Sequence, residues 1–324
     1  MPHMGFVVCI AVSAFGVTSS MTGNYYWKGE TGMMDDSTLW ASDSARKVDA
    51  GQLPSAADKV NFDWPKYGEF TLGLENTMVV TQATFSGSTY VTLDIGANVF
   101  DAGKLVVASA TDSTSTTRVD FVSGRILSPQ AMMIGNASER GPGYLCMSQG
   151  SSVDVESGNI TVQYGSILSL DNASLYATNA QTIYFNGASE LRVSGTNSLV
   201  LSTGTVGFRG GSSIVFCPPR DGASLDHAIV QVQKLSSTEK SGDETVTNAV
   251  LRIDSSAARS CAKHGGGTYL LVKGGMTSSK DINANFTVFS TVDAPDFVDV
   301  EQDSQGAEIR VIVKPIRGFV IICR

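Results

Sequence analysis

Charge is scarce in this chain: Asp, Glu, Lys and Arg make up 17% of its 324 residues. The 23 basic residues are scattered mostly singly among 31 acidic ones, and the net charge is -8. The clustered Lys and Arg that neutralise phosphates are missing, which excludes nucleic acid as a partner. With three histidines in all, a His-based triad has few candidates. Gly-x-Ser-x-Gly, phosphate-loop and dinucleotide-binding patterns are lacking too, and nothing calls for a cofactor. No apolar run reaches the roughly 20 residues of a membrane-spanning helix.

What is abundant is glycine, at 33 residues, together with short apolar stretches bounded by Gly, Ser and Asn. From Gly150 to Phe216 no stretch has the pattern of a helix. One inward-looking apolar residue per strand can be marked as Val153, Ile160, Leu168, Leu175, Ile183, Leu191, Leu199, Val206 and Ile214, in steps of 7 or 8 residues. Every third member repeats at 22 to 24 residues, the period of a solenoid rather than of helices. A strand's side chains alternate with period two, so Val153 with Val155, Leu168 with Leu170, Leu191 with Val193 and Leu199 with Leu201 each share a face.

Ahead of each strand stands Gly150, Gly158, Gly165, Asn172, Asn179, Gly187, Gly195, Gly204 or Gly211. Gly and Asn reach left-handed backbone angles at least steric cost, as a sharp corner requires. Three strands and three corners in a coil of about 23 residues predict an all-β fold: a right-handed, single-stranded parallel β-helix with three faces. The competing arrangement is an antiparallel meander, but among these corners only Asn186-Gly187 has the chemistry of a tight hairpin. Upstream the grammar is looser, with anchors at Val79, Phe85, Val91, Val99 and Val106, and excursions at residues 109–117 and 136–143. The second excursion carries Glu139 and Arg140.

The predicted organisation is a signal peptide at residues 1–20, an N-terminal cap region at 21–75, the β-helix at 76–217 and a β-rich C-terminal cap region at 218–324. The leader rests on the apolar run Gly5 to Phe15 followed by small residues, with Ala14 and Gly16 at cleavage-site spacing. Its removal leaves Cys146, Cys217, Cys261 and Cys323. Four thiols allow three pairings, of which Cys217 with Cys261 is one candidate; four buried, unpaired cysteines are the alternative. The C-terminal region holds strand-like runs at Ala249 to Ile253, Thr268 to Val272 and Ile309 to Val313.

Between the leader and the regular coils lie Trp27-Lys28-Gly29, Leu39-Trp40, Gly51-Gln52-Leu53-Pro54 and Ala57-Asp58-Lys59-Val60-Asn61-Phe62. This order resembles the pattern ahead of the β-helix in bacterial surface proteins with autotransporter-type passenger repeats. The resemblance covers about forty residues, and implies export and a place at or outside the cell envelope. It implies no activity, and no run of strands long enough for a translocator barrel follows.

Chemistry on such a fold needs charged groups stacked on one outer face. Asp154 and Glu156 share a face, but their equivalents one coil on are Tyr176 and Thr178, so no carboxylate column forms. Asp35-Asp36 lacks the alternating ligands of a Ca²⁺ loop and reads as a turn. Cys261-Ala-Lys-His264 has ligand spacing without a second pair, and Gly265 to Gly267 suggests a loop. No catalytic residue and no metal ligand is therefore expected. Tyr25, Tyr26, Trp27, Trp40 and Trp64 are the candidate glycan-binding residues, since exposed rings stack on sugar faces; plugging the first coil is their alternative use.

The expected function is that of a non-enzymatic exported β-helix, structural or adhesive, secreted or at the cell surface. An extracellular glycan or surface protein is the expected partner, and the mature chain has no membrane span. The alternatives are a polysaccharide lyase or hydrolase using the two excursions, and a glycan-binding module.

Overall fold

The computed structural model describes residues 22–64, 68–107, 116–136, 141–179, 181–225, 227–236, 250–274, 290–292, 295–302 and 308–316. Strands dominate, and they wind into a parallel β-solenoid of about 6 turns. The leader, residues 109–115 of the first excursion, and Glu139 and Arg140 of the second lie outside the described residues.

Each coil contributes a strand to three sheets, and neighbouring strands within residues 150–216 all run parallel. The meander is thereby excluded. On the first face an inward column passes through Tyr25, Val60, Ala83, Leu105, Met132, Ile160, Ile183, Val206 and Leu235. On the second face the column is Phe70, Val91, Val119, Leu145, Leu168, Leu191, Ile214 and Leu251. The third face stacks Met78, Phe100, Ile126, Val153, Leu175, Val200, Val230 and Val272.

All these residues are buried. Like side chains lie over like at the strand spacing of about 4.8 Å, so each apolar group meets its equivalents above and below. The rings of Phe62 and Phe85 stack with centroids 4.6 Å apart, and those of Phe185 and Phe208 at 4.7 Å. Burying one such side chain is worth about 1.5–3 kcal/mol, and every coil adds several to one continuous core.

Seven of the nine expected corner residues follow the expected chemistry; Gly158 and Gly204 are not at positive φ, and Gly204 lies within the strand Leu199–Phe208. Gly150, Gly165, Asn172, Asn179, Gly187, Gly195 and Gly211 all have positive φ. Asn172 and Asn179 also use their side chains: the Asn172 carbonyl oxygen accepts from the Asn197 amide, and the Asn179 amide donates to the Glu156 carbonyl one coil back.

The phase differs from expectation at four anchors. Val200, not Leu199, points inward on its strand, Val79 is 41% exposed between buried Met78 and Val80, Phe100 rather than Val99 enters the core, and Leu105 and Val107 rather than Val106 join the inward set. In each case both alternating positions are apolar, so composition cannot choose the face. Ser198 chooses it for Leu199–Phe208: its buried hydroxyl accepts from the Asn172 amide at the inner corner, and the next residue must turn outward.

Parallel pairing also reaches into the N-terminal region. Asn24–Trp27 stacks on Lys59–Phe62, and Gly32–Met33 on part of Glu69–Gly73. Among the described residues antiparallel pairing is confined to the two ends: Trp27 with Trp40 and Ala41 with Asp49, and Glu308–Val313 with both Gly267–Gly274 and Val298–Gln302. Cys261 lies in a helix, Ser255–Lys263, started by the Asp254 carboxylate accepting from the Ala257 amide, and the glycines after it make the turn into Gly267–Gly274. Cys217 and Cys261 are not joined; Cys261 is buried beside Tyr269, with 3.0 Å between sulfur and hydroxyl.

Candidate functional site

The five candidate aromatics divide. Trp27 and Trp40 are fully buried, edge to face at 5.1 Å, and both pack on Phe62. Their indole nitrogens donate to the Glu30 and Met34 carbonyls. Tyr25 is buried as well, its hydroxyl accepting from Gln52. These three rings are core and cannot stack on a sugar, which corrects that part of the expectation. Tyr26 and Trp64 lie at the surface, but the Arg46 guanidinium sits over both rings, 5.7 and 5.4 Å from their centroids. Arg46 also pairs with Asp63 and donates to the Trp27 carbonyl, so this cluster pins the first coil.

The outer wall of the second face carries more charge than a single strand suggests. Tyr90, Arg118, Tyr144, Ile167 and Glu190 form one outward column; Thr92, Asp120, Cys146, Ser169, Arg192, Val215 and Arg252 form its neighbour. At one end Arg118 holds Asp120 at 2.8 Å, while the Tyr90 hydroxyl donates to the same carboxylate. That hydrogen bond, with burial, raises the Tyr90 pKa. At the other end Glu190 receives Arg192 at 2.6 Å and Arg252 at 3.3 Å, two coils away. Burial pushes the thiols of Cys146 and Cys217 up to about 11, so neither is a thiolate nucleophile at neutral pH.

On the third face Asp154 stacks between Leu127 and Tyr176, as the repeat predicts, and pairs with Arg125. Asp101, one coil further back, has its pKa raised by burial and by Glu156. The predicted acidic pair is thus a partly neutralised patch.

Among the recesses that the described residues form, two border the residues discussed above. One, of about 590 Å³, lies beside the helix start and is lined by Asp171, Cys217, Arg220, Asp221 and Asp254. The other, of about 630 Å³, is bounded by Asp35, Asp36, Glu75, Leu53, Met78 and Val79. Asp36 starts a short 3-10 turn by accepting from the Thr38 amide at 2.9 Å, as its reading as a turn anticipated. Asp35 accepts from the Glu75 amide and from the backbone and side-chain nitrogens of Asn76 at 3.3, 3.1 and 2.9 Å. Burial opposes ionisation of Asp35, but these hydrogen bonds outweigh it and hold the pKa below the usual range. The Thr38 hydrogen bonds lower that of Asp36.

Sequence reasoning did not find this recess. Its parts are some forty residues apart in the chain, and Val79, which borders it, reads in the sequence as an inward anchor. Among the described residues no group of three or more His, Cys, Asp or Glu could hold a metal ion, and no helix is long and apolar enough to cross a membrane. No protein family, curated protein or solved structure matches the chain.

Proposed function

We propose that the chain is an exported β-solenoid with a structural or adhesive role at or outside the cell envelope. The observation that carries this reading is how the outer wall uses its charges. Arg118 with Asp120, Arg125 with Asp154, and Glu190 with Arg192 and Arg252 neutralise one another along and between coils, so these wall charges are occupied by each other. A wall of that kind suits presentation and contact better than bond-breaking, which needs a charged group free to act. The leader-like residues 1–20 and the Trp, Gly and Asp-x-Val-x-Phe order support export.

The test is expression of the full chain with a C-terminal tag in a bacterial host, followed by fractionation, mass measurement and surface proteolysis. A product shortened by about twenty residues, recovered outside the cytoplasm, is the expected result. An unprocessed chain confined to the cytoplasm overturns the proposal. Release of new reducing or unsaturated ends from an acidic polysaccharide by the purified protein would favour the processing alternative instead.

A further inference from the structure

We infer that the recess at the start of the third face is a docking site for an extended, basic segment of a partner protein, which adds as a strand to the Met78–Val80 edge. The inference goes beyond the role proposed above and does not depend on export. It starts from an asymmetry at this end of the solenoid. The first strand of the first face, Asn24–Trp27, is partly covered by antiparallel Trp40–Ala41, and that of the second, Glu69–Gly73, is partly covered by Gly32–Met33. On the third face, residues 78–80 pair with residues 100–102 on one side, and among the described residues no strand pairs with the other. An uncovered strand edge is a template for another backbone.

The surroundings select which backbone fits. Val79 and Leu53 expose 41% and 42% of their surface at the recess, beside buried Met78, and offer an apolar seat for alternate side chains. Asp35, Asp36 and Glu75 ring that seat, and among the described residues none of the three is in an ion pair. Lys or Arg at alternating positions of an added strand would meet these carboxylates while its apolar residues cover Val79 and Leu53. The net charge of -8 draws a basic segment towards the protein.

The same charges reject a second copy stacked end to end. Among the described residues the strand Val298–Gln302 at the far end pairs with Glu308–Val313 alone, and it carries Glu301 and an Asp299 that is held by Lys314 at 2.6 Å. Placing it against Asp35, Asp36 and Glu75 sets the Glu301 carboxylate among like charges.

The test titrates the full chain with a fluorescent peptide of alternating Lys and Val, about nine residues long, followed by anisotropy. Two control peptides replace Lys with Glu, or carry N-methyl groups on alternate amides. Saturable binding of the Lys peptide only is expected. Glu75→Gln and Val79→Lys, both at exposed positions that leave the fold intact by melting temperature, should each weaken it by about tenfold or more. Absence of binding overturns the inference, as does equal binding of the N-methylated peptide, which would mean charge attraction without strand addition. Indifference to both substitutions overturns it too, by placing the peptide elsewhere. Concentration-dependent self-association abolished by Val79→Lys would assign the edge to a second copy and overturn it likewise.

Discussion

Gly158 is a corner residue for a reason its neighbours do not share. A Cβ there would lie 1.3 Å from the Gln130 carbonyl oxygen, backbone against backbone, whereas at Gly150, with φ of 82°, it would meet nothing within 4 Å. Gly158→Ala should therefore cost about 3 kcal/mol or more and lower the denaturation midpoint sharply, while Gly150→Asn should cost about 1 kcal/mol or less. Asp58 makes a second test at this scale. Burial raises its pKa, but the hydrogen bonds from the Ser55 hydroxyl and amide and the Gly23 amide bring it below the usual value. A depressed folded-state pKa stabilises fully above the unfolded value of about 3.9, and that contribution disappears as pH falls through the folded value. Asp58→Asn should thus lower the melting temperature at pH 7, and the gap to the parent should close below about pH 4. The positive-φ corners were legible because Gly and Asn announce them; the crowding at Gly158 was not, because Gln130 belongs to the preceding coil.

Among the elements, the helix Ser255–Lys263 had local signals that the surrounding strand pattern obscured. Asp254 stands at its N-cap, Ala257, Ala258 and Ala262 favour helix, Lys263 lies in the last turn, and the glycines end it. Asp254→Ala should cost about 1 kcal/mol, read as a fall in the denaturation midpoint. Since Cys217 and Cys261 are not bonded, adding a reductant should leave that midpoint unchanged; a drop would reveal a disulfide. The strands themselves were legible from alternation, and their order in the stack from the period. Their phase was lost wherever Val and Leu occupy both alternating positions, as at Leu199 to Leu201. The recess on the third face was illegible for a different cause: Asp35 and Glu75 become neighbours only through the winding of the chain.

For the molecule as a whole, stability is carried by contacts between successive coils, so it should respond to coil number more than to any distant pair. Ile160 is in register with Ile183, and Met132 with Ile160, so residues 160–182 form one whole coil. Deleting them would seat Ile183 on Met132, Leu191 on Leu145 and Val200 on Val153, each a replacement of like by like. That variant should elute as a folded monomer with an unchanged circular dichroism shape, whereas deletion of residues 160–171 should not fold, because every later strand would change sheets. A further property follows from the equivalence of the coils. The separation between the two ends of the molecule can be altered only in whole increments of about 4.8 Å, so its reach behaves as a counted quantity, like the rungs of a ladder, and not as a continuously adjustable length.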